Sequence, residues 1–152
     1  MAFDNEKLLD DTGWHLLQAL QDDARLSFAE LGRMVGLTPP AVAERLRRME
    51  DAGIIKGYRA QINPEKIGLP LIALISLTTT PQQYPQVIAL ISGLTEVLEC
   101  YHVTGNCSFS IKAIASSMSH LESLIEQLSQ YGSTSTLIVL STTKSSQAIK
   151  RF

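Results

Sequence analysis

The sequence predicts an α+β chain: an N-terminal helix-turn-helix (winged) domain followed by a ferredoxin-like βαββαβ domain. Three observations carry that expectation. Residues 1–60 hold 8 basic and 10 acidic side chains and residues 61–152 hold 5 of each, so 18 of the 28 charges crowd into the first part of the chain. In that first part, apolar residues recur at helical spacing, and two of the helical segments are joined through a very short Gly-containing turn. Beyond residue 70, strand-like and helical runs follow in the order strand, helix, strand, strand, helix, strand.

Over 12–21, Leu16, Leu17 and Leu20 predict a first helix, with Thr12 or Asp10 placed to accept from its free amides. A second helix begins after Ser27, where Glu30 completes a capping-box spacing and Ala29, Leu31, Met34 and Val35 form the apolar set. Gly36 suits the left-handed conformation that closes a helix, Leu37 packs, and Thr38 is placed to cap a third helix opening with Pro39 and Pro40. Such a pair of helices is the helix-turn-helix unit, whose second helix can lie in a major groove. The β-branched and aromatic run 54–62 predicts a short strand or wing, and 63–70 a hinge. The expected boundaries are therefore 1–62, 63–70 and 71–152.

Residues 71–77 read as an apolar strand, buried on both faces or lying in a subunit interface. Tyr84, Val87, Ile88 and Ile91 predict an amphipathic helix ending near Gly93. Alternation of Val97, Glu99, Tyr101 and Val103 with Leu98, Cys100 and His102, then of Phe109, Ile111 and Ala113 after Gly105 and Asn106, predicts a hairpin. Ser119 and Glu122 stand as a capping-box pair before Leu121, Leu124, Ile125 and Leu128, which lead to a stop near Gly132; 136–142 is the last strand. Helices on one face leave the other sheet face apolar, which predicts dimerisation through it.

The 152 residues are 45% apolar with a net charge of −2, which argues against a protein that coats nucleic acid indiscriminately. Cys100 and Cys107 have neither the number nor the spacing of a zinc site or a disulfide framework, so buried or half-buried free thiols, no metal and a cytoplasmic location are expected. Neither a secretory signal nor a bilayer-spanning apolar stretch is present in the sequence. No carboxylate pair stands at a telling spacing, so neither catalysis nor a cofactor is expected.

Stepping 100° per residue along the third helix places Val42, Leu46 and Met49 in one stripe and Pro40, Glu44, Arg47, Arg48 and Asp51 opposite. The short residues Thr38, Pro39, Pro40 and Ala41 would let the helix start approach phosphate or base edges closely. A plain solvated face, with Glu44 and Arg48 paired, is the competing reading, and the preceding helix and turn weigh against it. Lys56 and Arg59 are in reach of phosphate if the run 54–62 forms a wing. His102 is a structural histidine or a pocket residue, and Gly105 and Asn106 are hairpin-turn chemistry or a ligand loop.

Several segments resemble the Lrp/AsnC family, the leucine-responsive and asparagine-type regulators. They are Leu9-Asp10, Leu16-Leu17, Asp23-Ala24-Arg25, Glu30-Leu31, Val35-Gly36-Leu37-Thr38, Arg45-Leu46, Arg48-Met49-Glu50, Gly53-Ile54-Ile55-Lys56-Gly57-Tyr58 and Val103-Thr104-Gly105. The resemblance implies a transcriptional regulator that binds double-stranded DNA, dimerises through its C-terminal domain and assembles into octamers or similar rings. It implies DNA contacts at Thr38, Pro39, Pro40, Ala41, Glu44, Arg45, Arg47 and Arg48, with Arg45 assigned to backbone phosphate. It also implies a small-molecule effector, usually an amino acid, bound between dimers near Thr104, Gly105, Asn106, Cys107 and Ser108, with His102 as a pocket candidate. Two departures stand out: Ser108 and Gly13 occupy positions where the family commonly has acidic residues, and Gly13 is expected to weaken the first helix.

An effector-modulated transcription factor, not an enzyme, is the leading expectation. A sirohaem-decarboxylase-like enzyme on the same scaffold would need cationic and imidazole groups, and residues 61–152 offer only Lys66, Lys112, Lys144, Lys150, Arg151, His102 and His120. A ligand-binding protein without DNA recognition is opposed by the intact helix over 38–50.

Overall fold

The computed structural model describes residues 7–145 and 147–151. It forms two compact units, one of residues up to Ala60 together with those from Lys144 on, the other Gln61–Thr143. The segment from Lys144 thus packs with the first unit, not with the sheet domain to which 71–152 assigned it.

In the first unit α1 spans Asp11–Asp22, α2 Phe28–Val35 and α3 Pro39–Asp51. Asp10, rather than Thr12, caps α1, its Oδ1 accepting from the Gly13 N–H at 2.8 Å. The Ser27–Glu30 capping box forms in both directions: Ser27 Oγ accepts from the Glu30 amide at 3.2 Å and Glu30 Oε2 accepts from the Ser27 amide at 2.8 Å. Gly36 closes α2 at φ 71°. Thr38 occupies the cap position of α3 but makes no side-chain cap bond. Pro39 and Pro40 lack N–H groups, so the second-position donor that a threonine cap serves is absent.

Leu16, Leu31, Val42, Leu46 and Met49 form the buried centre of this unit, and Leu17, Leu20, Ile54 and Ile55 pack around it. The wing expected over 54–62 is not formed: among the described residues this run belongs to no strand. Ile54 and Ile55 turn inward instead, their amides donating to the Met49 carbonyl at 2.9 and 3.2 Å. A strand needs a neighbour for its N–H and C=O groups, and the run pairs with none among the described residues.

Over the hinge, Asn63 Oδ1 accepts from the Glu65 amide at 3.0 Å and starts a 3-10 turn, Glu65–Ile67. The second unit follows with β1 (Leu71–Thr78), α4 (Tyr84–Gly93), β2 (Val97–His102), β3 (Phe109–Ala115), α5 (Met118–Ser129) and β4 (Ser133–Ile138). The sheet order is β2-β3-β1-β4 with every neighbouring pair antiparallel, the ferredoxin-like arrangement. Ala73, Ile75 and Leu77 of β1 and Phe109, Ile111, Ala113 and Ala115 of β3 face Val87 of α4 and Leu121, Leu124 and Leu128 of α5.

Several element details differ from the sequence expectation. Burial on β1 alternates instead of covering both faces, and Leu74 is 41% exposed. On α4, Leu90 packs on the core while Ile88 is exposed. The cap of α5 is Ser117, whose Oγ accepts from the His120 amide at 3.2 Å, so Ser119 lies inside the helix and not at its cap. β4 ends at Ile138 instead of running over 136–142.

Gly13 is buried, and a Cβ there would lie 1.8 Å from the Leu8 carbonyl oxygen and 3.0 Å from Met49 Cε. The expectation that Gly13 merely weakens α1 is corrected: the chain entering α1 crosses close over this residue, and only glycine leaves it room. Helix propensity alone predicts that Gly13→Ala stabilises by about 1 kcal/mol. The packing predicts the opposite sign, a loss of about 1–3 kcal/mol as the Leu8 backbone is displaced, to be read by chemical denaturation.

Candidate DNA interface and effector site

The buried stripe of α3, Val42, Leu46 and Met49, sets which side chains face outward. Thr38, Pro39, Pro40, Ala41, Glu44, Arg47 and Arg48 are all exposed. With no N–H on Pro39 or Pro40, the helix start can meet a polyanion through little backbone, so short side chains form its approach surface. Arg47 grips Glu44 with two nitrogens, at 3.1 and 2.8 Å, and Asp51 with a third at 2.8 Å. Glu44 is held below the usual carboxylate range by these Arg47 bonds, with the Arg48 charge adding to the effect.

Arg45 is placed differently from its neighbours. Its Nη2 bonds the Asp10 carboxylate and donates to the Lys7 carbonyl at 3.3 Å, and its side chain is 21% exposed. It therefore clips α3 to the start of α1, away from the face that carries Arg47 and Arg48. The stripe-edge position of Arg45 was the available sequence signal for this role. Asp10 is held below its ordinary pKa first by the Arg45 bond and then by the Gly13 amide. Lys56 and Arg59 are exposed on the extended run after α3, and Tyr58 Oη donates to Glu50 at 2.9 Å. Burial first, then that bond, pushes Tyr58 up to about 12.

In the second unit, β2 and β3 are joined by a loop closed by the Val103 amide on the Ser108 carbonyl at 3.0 Å, with Gly105 at φ 115°. Beside it lies a concavity of about 260 Å³ lined by Ser76 and Thr78 of β1, Asn106 and Cys107 of the loop, and Ser133, Thr134 and Ser135 of β4. Its lining is rich in hydroxyls and contains no charged side chain. Asn106 and Cys107 are thus brought together, while Thr104 and Gly105 are exposed on the loop.

Ser108 is buried, and its hydroxyl accepts from the Thr79 amide at 3.1 Å and donates to the Thr79 carbonyl at 3.0 Å. That engagement ties the loop to the end of β1 and leaves the Ser108 hydroxyl facing the backbone, not the concavity. His102 pairs with Phe109 across the β2–β3 ladder and stacks edge-on against Tyr84 of α4, centroids 4.8 Å apart, on the helix side of the sheet. It belongs to an aromatic cluster with Tyr84 and Phe109. Cys100 is exposed and Cys107 half-buried, and both are free thiols. Four residues that present hydroxyls to the concavity escaped the sequence reading: Ser133 and Ser135 of β4, which pair with Thr78 and Ser76 of β1, while the Thr134 hydroxyl turns to Ser129 of α5.

Among the described residues no cluster of His, Cys, Asp and Glu could hold a metal ion, and no helix is long and apolar enough to cross a membrane.

A helix-turn-helix unit with a short-sided, cation-bearing second helix, joined to a ferredoxin-like unit with a polar concavity, defines a two-domain transcriptional regulator. The AsnC-type helix-turn-helix domain matches residues 9–50 and the Lrp/AsnC ligand binding domain matches residues 72–149. The chain belongs to the Lrp/AsnC family of transcriptional regulators. It is similar to the HTH-type transcriptional regulator LrpC of Bacillus subtilis, 34% identical over 88% of this chain and 92% of that one. Similarity to the regulatory protein AsnC of Escherichia coli K12 is 33% identity over 88% and 91%. The structure of the transcriptional regulator NMB0573 of Neisseria meningitidis, solved as a complex with L-Met, superposes with a TM-score of 0.86 at 30% identity over 93% of this chain and 96% of that one.

Two outcomes follow from this geometry. Asp10→Asn keeps a capping oxygen but removes the negative charge that Arg45 pairs with, and is expected to cost about 0.5–1 kcal/mol at neutral pH because Asp10 is half-exposed to water. The Asp10 pKa is lowered on folding, so its contribution is complete above the ordinary carboxylate value of about 4 and is lost as pH falls through the depressed folded value. Unfolding curves of the variant and the parent therefore converge in acid. Ser108→Ala strands the Thr79 amide and carbonyl and is expected to lower stability by about 1–2 kcal/mol, measured by thermal denaturation.

Proposed function

We propose that this regulator reads DNA with the start and outer face of α3 and changes its binding when a small amphoteric molecule of the amino-acid class occupies the hydroxyl-lined concavity of the second unit. The observation that carries the DNA reading is the exposed row Thr38, Pro39, Pro40, Ala41, Arg47 and Arg48 on a helix held from behind by its buried stripe. Arg47 and Arg48 supply phosphate contacts, and the first-turn residues and Glu44 supply sequence preference. The wing on which Lys56 and Arg59 were expected to reach phosphate is not formed, so the DNA reading rests on α3 without them. Arg45 serves as the anchor of α3 on α1.

For the effector, hydroxyl and amide groups can donate to a carboxylate and accept from an ammonium, which suits an amino acid and a volume near 260 Å³. NMB0573 was solved with L-Met, which supports that class. Effector control would follow from linkage: a ligand that prefers one arrangement shifts the population by its differential affinity. Leu74 and Leu137 sit side by side on the sheet face opposite the helices and are 41% and 66% exposed, which favours a homodimer sealed through that face, with dimers assembling further. A cytoplasmic, non-enzymatic regulator is the corresponding reading.

The test is fragment-selective binding of genomic DNA followed across a salt series. Replacing Arg47 and Arg48 by Ala is expected to weaken binding on every fragment and to reduce the slope of log affinity against log salt by about 1 for each phosphate that is no longer neutralised. Arg45→Ala should leave that slope unchanged while lowering the melting temperature. An unchanged slope in the Arg47 and Arg48 variant, on a folded protein, would overturn the assignment of the face.

A further inference from the structure

Outside the two candidate sites, the first unit carries an apolar groove of about 350 Å³ on the side where α1 meets the segment that follows α3. Trp14, Leu17 and Leu20 of α1 line it together with Ile54 and Ile55, and Ile149 borders it. The backbone of Ile149 is bound at both of its polar groups by one side chain. Gln21 Oε1 accepts from the Ile149 amide at 2.7 Å, and Gln21 Nε2 donates to the Ile149 carbonyl at 3.1 Å. The primary amide here copies what a neighbouring strand offers, an acceptor and a donor at the spacing of a peptide unit. Two residues on, Arg151 donates to Asp11 Oδ1 at 2.6 Å, so the segment is held at two points along α1.

We propose that residues 147–151 are a latch on the helix-turn-helix unit, with Gln21 as its catch and Ile149 seated at the rim of the groove. The latch is built to release. Gln21 and Asp11 are exposed, and Ile149 remains 66% exposed when docked, so water can replace each of these bonds. Ile54 and Ile55 hang from the Met49 carbonyl at the end of α3, so the groove that the latch borders adjoins the end of that helix. The docked segment is the sequence continuation of β4, whose first residues line the hydroxyl concavity.

Trp14 is the single tryptophan of the chain and lines the groove with Ile149, so its fluorescence reports the seating of the segment without DNA or effector. Docking and the DNA-reading assignment can therefore fail independently. In the full-length protein, the Ile149 amide should exchange with solvent about tenfold or more slowly than that of an unstructured segment, and Gln21→Ala should abolish the difference. Ile149→Asp should shift Trp14 emission to longer wavelength and raise its quenching by acrylamide. Should Ile149→Asp fold poorly, Arg151→Glu serves in its place, and pairing it with Asp11→Arg should restore the parental quenching. An Ile149 amide that exchanges at the unstructured rate in the parent chain, or Trp14 emission unchanged in a folded Ile149→Asp variant, would overturn the latch.

Discussion

Asp10 stands where two demands on the first unit meet. Its carboxylate accepts from the Gly13 amide and so starts α1, and the same oxygen holds Arg45 of α3. The buried stripe of Val42, Leu46 and Met49 sets which face of α3 is turned inward, and the charge-assisted bond at the stripe's edge adds a direction to that register. One residue of helical register is 100° of rotation, enough to carry Arg47 and Arg48 off the exposed face. Gly13 makes the junction possible by letting the Leu8 carbonyl pass where any side chain would stand.

That outward face is nearly balanced in charge. Arg47 lies between Glu44 and Asp51, so its field is largely cancelled until a stronger anion approaches. Exposed ion pairs of this kind are worth little in water, and a phosphate can exchange for either carboxylate at small cost. A face of this sort carries little net field toward a polyanion, in keeping with the chain's net charge of −2.

The second unit divides its sheet by period two. Ala73, Ile75 and Leu77 point to the helices, while Leu74, Ser76 and Thr78 point the other way. The register aligns Ser76 with Ser110 on one side and Ser135 on the other, and Leu74 with Leu137 on one side and Lys112 on the other, so the free face has an apolar pair flanked by the Lys112–Glu99 ion pair beside a hydroxyl row. Ser108 secures the corner by binding both backbone groups of Thr79, the role in which a serine at this position serves the fold.

What the sequence determined by itself is whatever depends on neighbours three or four residues away. The Ser27–Glu30 box, the close of α2 at Gly36, the buried stripe of α3 and the strand and helix order were legible because caps and amphipathic periods are local physics. Where a local reading failed, packing had decided: Ser117 and not Ser119 caps α5, Leu90 and not Ile88 lies on the core side of α4, and β4 starts at Ser133 because it pairs along β1 from there. Tertiary structure alone decided the rest. The need for glycine at position 13, the inward turn of Arg45, the separation of His102 from the loop beside it, and the return of Ile149 to α1 all arise from contacts between residues distant in the chain. Spacing along a sequence carries no record of such distances, because they are set only when separate elements pack against one another.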